Sequence, residues 1–502
     1  MKYVLNNDNK SIKDRILEIN HLSEEDLNVS NFIVNKDLDI ICKFRNFLQN
    51  NKDLHFFIVG DYDCDGICAT TIIKKLLDDL NIKNNYYIPS RSKEGYGINN
   101  NIVNTAIENH FDVIVMVDNG VVANTQIELA NSNGIKTVVI DHHEYAQMPN
   151  SDLFIHPNLF PQKYEDMCAA GLCALLSNSI REDDLTICLG GIATLADMVK
   201  VLNYNRYLII RMMDIIREKN VYSIKYLLQS NDLSYTSLQF NVIPKINAIS
   251  RLDSILNVNF MPRYFLSSES EALSNVLKIE DVNNKRKQLS KQMYESIISS
   301  IDLSNSFIVV KSSEFIEGLC GLLANRLLSE FNKPVLVLSE KNNELKGSGR
   351  SPSGFNIYDY LKPCEELFTT FGGHQNALGL SLDLKNYNSL INYIDNHEVL
   401  LSEENVDVLL LEENEITFDL LSEIEELGPY GTGFNMPLLA IRNNNYKNIV
   451  IAGRYPKYLI NEKLDAICFK QTKVKNFEFM IGSLNIDSYH KNKLSFIIDD
   501  FI

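Results

Sequence analysis

The sequence predicts an α/β protein in which two α/β domains are joined by a helical connector and followed by a small β-barrel. Three observations lead there. Short apolar runs alternate with helical periodicity from residue 54 to about 200, and again from 307. The segment between them is charged at helical spacing. The last part, residues 427–502, shows short alternating strands separated by turn residues.

The elements follow in order. LHFFIV (54–59) is a buried strand, and ICATTIIKKLLDDL places Ile73, Leu76, Leu77 and Leu80 on one helical face. VIVMV (113–117) and TVVI (137–140) are two further strands, so the first domain reads as βαβ units around a parallel sheet. Residues 205–305 read as helix, ending in ESEALSNVLKIEDVNNKRKQLSKQMYESIISSI, whose interspersed charges suit an exposed connector. A second α/β pattern follows: FIVV (307–310), a helix through LCGLLANRLLSEF, PVLVL (334–338), and two Gly-rich turns, GSGRSPSG and FGGH. The resulting division is 1–205, 206–305, 306–398 and 399–502.

At 502 residues the chain is too long for one core, and with 45% apolar and 23% charged residues it has an ordinary globular composition. Its nine cysteines are scattered without a C-x-x-C pair, which argues for a reducing compartment. MKYVLNNDNKSIKDRI lacks the apolar core of a signal peptide, and no apolar run is long enough for a membrane, so the cytoplasm is expected. A net charge of −17 disfavours nucleic-acid binding in sum, but the charge is uneven. No Lys or Arg occurs between Lys385 and Arg442, and a basic stretch then follows with Lys447, Arg454, Lys457, Lys463, Lys470, Lys473, Lys475, Lys491 and Lys493. Local phosphate binding is therefore open to it.

Each strand of the first domain ends in acids or histidines. The first ends in GDYDCDG with Asp61, Asp63 and Asp65, the second in Asp118-Asn-Gly, and the third in Asp141-His142-His143. In an open parallel sheet ligands bind beyond the carboxyl ends of the strands, so these clusters point into one crevice. Asp197 interrupts the apolar helical stretch ATLADMV, where an unpaired carboxylate is costly. Singly, each has a bland reading as a turn, a cap or an ion-pair partner. Together, Asp and His without Cys favour a metal centre of manganese-like ions. The carboxylates are too many for one ion, which suggests two ions bridged by a shared aspartate, about 3.5–4 Å apart, for attack of water on phosphorus.

GDYDCDG, VDNG, DHH and ADMV, in that order, resemble the four motifs of the DHH phosphoesterases. PSRSKEGYG (89–97) and VIPKINAISRL (242–252) resemble the substrate-contacting segments of the RecJ-type single-strand exonucleases. GSGRS (347–351) with GGH (372–374) resembles the DHHA1 domain, and LGPYGTGFNMP (427–437) the entry to the RecJ OB-type barrel. The resemblance implies Asp63, Asp65, Asp118, His142 and Asp197 as metal ligands, with Asp118 as bridge and Asp61 as a further ligand or an orienting group. Val59 stands where many DHH enzymes have a histidine ligand. His143 would contact the scissile phosphate, while Asp141 fixes the tautomer of a neighbouring imidazole. Arg91 and Arg251 would hold a terminal 5′-phosphate, and Tyr96 would stack on a base or plug a turn. Ser348, Arg350, exposed backbone N–H groups of GSGRS, and His374 would meet further phosphates.

The activity implied is a two-metal exonuclease that degrades single-stranded DNA from its 5′ end to mononucleotides, in repair or recombination. The cofactor is a pair of Mn²⁺ ions, with Mg²⁺ as the alternative. The partner is single-stranded DNA with a 5′ end, and a single-strand-binding protein or helicase is a candidate protein partner; no membrane is expected. The rivals are a DHH phosphodiesterase for short oligoribonucleotides or cyclic dinucleotides, and a non-catalytic scaffold of the same fold. The barrel and connector argue against the first, and the intact acidic motifs against the second.

Overall fold

Phe56, Phe57, Ile58 and Val59 are all buried, as a parallel strand covered on both faces requires. The structure is a computed structural model that describes every residue except 1, 9, 31, 230–232, 404, 452–454, 470–475, 488–489 and 491. The strand Phe56–Val59 lies second in a five-stranded sheet of order Asn84–Tyr87, Phe56–Val59, Val113–Val117, Lys136–Ile140 and Leu153–Ile155, parallel throughout. The winding reverses at Phe56–Val59, so a crevice opens beyond its carboxyl end and that of Val113–Val117. On one face, helices Asn100–Glu108 and Asn124–Ser132 bury Ile102, Val103, Ala106, Ile127 and Ala130 against Phe57, Val59, Ile114, Met116 and Val139. Helix Cys64–Asp79, launched from the end of Phe56–Val59, packs on Ala169–Ile180 and Asp184–Ala196.

The chain divides into two units. The sheet just described belongs to the unit of Val34–Asp197 with Leu208–Ser402. This unit also holds the connector, where Ile243–Arg251 packs on the 29-residue helix Glu269–Ile297. Buried Lys245 joins the two by pairing with Glu280, and it also donates to the Leu227 carbonyl. The connector leads to a second sheet of order Phe368–His374, Ala377–Asp383, Glu344–Arg350, Val335–Lys341 and Ile308–Ser312, in which only the last pair is parallel.

This sheet corrects the expectation for GSGRS and GGH. Both lie on strands rather than in turns: Gly347 to Arg350 are in a strand paired on both sides, so the ladders take up the backbone N–H groups expected to be exposed. The glycines serve packing instead. A Cβ on Gly349 would meet Ile357 and Leu378 at 2.9–3.0 Å, whereas Gly372 and Gly379 leave open space on the opposite face.

The other unit comprises Met1–Ile33, Met198–Tyr207 and Glu403–Ile502. Its eight-stranded sheet starts at Lys2–Asn6, which runs parallel to Asn405–Leu411. The amino-terminal strand, grouped with the first domain in the linear division 1–205, thus joins the carboxyl-terminal sheet. The order continues through Leu438–Arg442, Phe479–Ile486, Leu494–Phe501, Leu464–Cys468 and Tyr455–Asn461 to Lys447–Ile451. Arg206 ties this unit together by donating to the carbonyls of Leu27, Leu427, Gly428 and Pro429.

Candidate functional site

The crevice is built by capping. Asp63 caps helix Cys64–Asp79, accepting from the N–H groups of Asp65 (2.9 Å) and Gly66 (3.1 Å). Gly66 allows this tight turn, since a Cβ there would fall 2.5 Å from the Asp61 carbonyl oxygen. Asp65 accepts from Ala169 N–H (2.8 Å) and Ala170 N–H (2.7 Å) at the start of Ala169–Ile180, where the helix dipole favours an anion. Asp118 has φ of 59°, a left-handed conformation that side chains other than glycine seldom adopt. Asn119 secures that turn by donating to the carbonyls of Val59 (3.0 Å) and Val117 (2.8 Å) and accepting from Ile98 N–H (3.2 Å).

Asp141 accepts from Val121, His142 and His143 backbone N–H groups and faces His143 Nδ1 at 2.8 Å. Behind it, His156 Nδ1 accepts from Asn158 N–H, so Nε2 carries the proton and donates to the His143 carbonyl at 3.1 Å. Asp197 closes the crevice at the end of helix Asp184–Ala196.

Three overlapping donor sets result: Asp61, Asp63 and Asp118; Asp118, His142 and His143; Asp65, His142 and Asp197. Within each set the donor atoms lie within 4.8 Å of one another. His142 Nε2 stands 3.4 Å from Asp118, 3.6 Å from Asp197 and 3.7 Å from Asp65. Among the described residues no Lys or Arg forms an ion pair with any of these five aspartates. Burial, then Asp65, Asp63 and Asp61, pushes the Asp118 carboxyl well up, and burial with Asp63 does the same to Asp61. Asp65 is raised by burial, and Asp197 is pushed up to about 8 by burial, Asp65 and Asp63. Burial lowers His142, keeping its imidazole neutral. Burial alone would raise Asp141 and lower His143, but their mutual hydrogen bond and attraction win. Asp141 is held below its ordinary value and His143 is pushed up to about 9. Among the described residues, Asp61 Oδ1, Asp118 Oδ1 and His142 Nε2 are buried without a hydrogen-bond partner. Buried acceptors aimed into one acidic space fit cations.

Tyr96 is anchored at the crevice with its ring partly exposed. Its hydroxyl donates to the Asp118 carbonyl at 2.9 Å and its ring stands edge-on to His143, so it braces the crevice wall.

The arginines gather beside the crevice. Arg91 lies over the ring of Tyr62, 5.0 Å from its centre, and its charge is felt by Asp61. Arg251 ends helix Ile243–Arg251, and a Cβ on Gly318 would come 2.4 Å from its carbonyl oxygen. Burial and then Arg91, Arg286 and Arg350 push Arg251 down to about 10. None of these four arginines makes an ion pair among the described residues. Arg91 and Arg251 line a cavity of about 560 Å³ together with Ser92, Asp253, Glu317 and Lys346. Arg350 and Ser348 approach Gly321, and the rows His374–Ala377–Arg350 and Gly372–Gly379–Ser348 form an open polar face of the second sheet. His374 stands at its exposed end.

Three contributors escaped the sequence: Asn119, His156 and Arg286. Arg286 sits in NNKRKQ, which reads as a solvated helix face, while the bridging role of Asn119 shows only once two strand ends meet. In the carboxyl-terminal sheet Lys457 and Lys493 both pair with buried Asp465, at 2.6 and 2.8 Å, and Tyr458 is buried against Phe477 and Phe501. Arg454, Lys470, Lys473, Lys475 and Lys491 lie outside the described residues.

Comparison with known proteins agrees with this architecture. The DHH family, N-terminal domain, matches residues 55–196, the DHHA1 domain 304–397 and the RecJ OB domain 408–500. The chain carries a DHH domain, a DHHA1 domain and a RecJ OB domain in that order. It is 28% identical over 410 residues to the single-stranded-DNA-specific exonuclease RecJ of Bacillus subtilis, covering 77% of this chain and 52% of that protein. The Escherichia coli protein of the same name is 28% identical over 466 residues, covering 82% of this chain and 80% of its own length. The chain thus spans about half of the first relative and most of the second. In fold it matches the crystal structure of RecJ in complex with Mn²⁺ from Thermus thermophilus, with a TM-score of 0.84 at 21% identity over 100% of this chain and 79% of that one. The DHH match ends at Ala196, one residue before Asp197, and Arg251 lies in the connector between the DHH and DHHA1 matches.

Proposed function

We propose that the chain is a two-metal-dependent exonuclease that removes mononucleotides from the 5′ end of single-stranded DNA. The observation that carries this is the overlap of three donor sets at Asp118 and His142 beside a cavity lined by unpaired arginines. Asp63, Asp65, Asp118, His142 and Asp197 would hold the ions, with Asp118 shared and Asp61 supplying oxygen where Val59 offers none. Bound Mn²⁺ or Mg²⁺ supplies a Lewis acid for the phosphate and lowers the pKa of the attacking water.

The chain's own groups do the rest. Asp141 holds the Nδ1 proton of His143, which leaves Nε2–H to donate to the phosphate oxygens as charge develops. Tyr96 and Asn119 fix the turn that carries Asp118. Arg91 and Arg251 grip the terminal 5′-phosphate, and Arg350, Ser348 and His374 take phosphates further along the strand. The relatives named as single-stranded-DNA-specific exonucleases support the substrate class. A role in repair or recombination, a single-strand-binding protein or helicase as partner, and a cytoplasmic location extend the proposal; no described helix is long and apolar enough to cross a membrane.

The test is digestion of end-labelled single-stranded DNA and RNA with Mn²⁺, reading product length and direction. Mononucleotides released from the 5′ end of DNA are expected. Preference for short RNA, or release from the 3′ end, contradicts the proposal.

A further inference from the structure

Two arginines meant for one phosphate face a physical difficulty. Arg91 is on the loop after strand Asn84–Tyr87, Arg251 ends a connector helix, and their like charges push them apart. Something must pin the loop to the helix. The base of the loop is held by Asn259, whose side chain accepts from Ile88 N–H and donates to the Ile88 carbonyl, both at 2.8 Å. Within the loop, Glu94 accepts from Ser90 N–H (2.8 Å) and the Tyr87 hydroxyl (2.7 Å). Neither reaches the tip.

Asp253 does. Two residues beyond Arg251, its Oδ2 accepts from the Ser90 hydroxyl (2.6 Å) and Ser92 N–H (3.1 Å), and its Oδ1 from the Ser92 hydroxyl (2.8 Å). These partners flank Arg91 on both sides. Asp253 makes no ion pair among the described residues, so its carboxylate is committed to the loop rather than to either guanidinium. It also lines the cavity with Arg91, Ser92 and Arg251.

We propose that Asp253 is a positioning residue that sets the spacing of Arg91 and Arg251, and with it the preference for a 5′-phosphorylated end. This rests on the reading of those arginines as the phosphate grip. With Asp253 in place the loop tip is held through three hydrogen bonds before substrate arrives, so little ordering remains to be done on binding. Without it the two cations relax apart and the bidentate fit is lost.

The test compares KM and kcat of full-length protein with Mn²⁺ on one single strand carrying either a 5′-phosphate or a 5′-hydroxyl. Asp253→Ala is expected to lose about tenfold of the preference for 5′-phosphate, through KM, with kcat and the 5′-hydroxyl reaction near wild type. Asp253→Asn, which keeps one acceptor, and Ser92→Ala, which removes one hydroxyl from the tip, should shift the preference less in the same direction. Equal losses on both substrates, or an unchanged preference in Asp253→Ala, overturn the inference. If Asp253→Ala melts early, Ser92→Ala decides. A wild type that discriminates while all three variants keep its preference overturns the positioning role alone. A wild type blind to the 5′ group overturns the arginine assignment and this inference with it.

Discussion

The two units treat buried charge in opposite ways. In the carboxyl-terminal sheet, Asp465 is 2% exposed and meets both Lys457 and Lys493. In the other unit, among the described residues, five aspartates crowd one crevice without a Lys or Arg partner, and four arginines stand nearby without an acidic one. Paired charge satisfies itself and holds a fold. Unpaired like charge is unfavourable in the protein alone, and a ligand of opposite sign relieves it. By that criterion Lys457, one of the basic stretch open to phosphate on sequence grounds, is occupied in the fold, while Lys463 is exposed and forms no ion pair among the described residues.

The sharpest way to break this contrast is Asp118→Asn. Asparagine tolerates the left-handed backbone, so the fold survives while the proposed shared ligand loses its charge. Turnover should fall at least about a hundredfold, and the metal-free protein should melt higher because a repelling carboxylate is gone. Near-normal turnover with Mn²⁺ would remove the two-metal assignment.

In the paired region the same logic predicts a stability effect. Asp465→Ala leaves two lysines facing each other and should cost about 3 kcal/mol in denaturant unfolding, with hydrolysis by the folded protein unaffected. No change in the unfolding midpoint would show that the pair contributes nothing. Arg251→Ala should weaken cleavage of 5′-phosphorylated strands by about 1.5–3 kcal/mol in kcat/KM and spare 5′-hydroxyl strands. Matching losses would make it a structural contact.

Protonation adds a subtler test. Without metal, folding raises Asp197 to about 8 and His143 to about 9, above unfolded values of about 3.9 and 6.5. The folded state therefore binds more protons in that range, and metal-free stability falls as pH rises, most steeply between about 6.5 and 8. Mn²⁺ competes with the Asp197 proton and is repelled by the His143 cation, so its stabilisation, read as a melting shift, should grow over the same interval. A shift independent of pH would separate the ions from these groups. The smallest effect expected is that of Lys463→Ala, which should flatten the salt dependence of single-strand binding by about 0.7 in log–log slope. Lys457→Ala should leave that slope alone.

Much of the fold is legible in the sequence because buried parallel strands are continuous apolar runs. VIVMV coincides with Val113–Val117, and LHFFIV and TVVI overlap theirs within two residues. Asn84–Tyr87, spelled NNYY, is a polar edge strand, and Leu153–Ile155 has only three residues, so neither carries a periodic signal. GSGR reads as a turn because glycine favours turns, whereas its neighbours across the sheet make it a strand. The strand Lys2–Asn6 pairs with Asn405–Leu411, a contact that no local pattern encodes. The site follows the same division. Its aspartates and histidines, which apart from Asp197 follow predicted strands, come together in one crevice, but Asn119, His156, Asp253 and Arg286 act across segments that no local pattern joins.

The central claim is that the acidic crevice is built for two cations sharing Asp118. Equilibrium titration of the metal-free protein with Mn²⁺, counting ions bound per chain, tests it most directly. Two ions for the wild type, with loss of at least one in Asp118→Asn, is the result predicted. A wild type that saturates with one ion or none would contradict it.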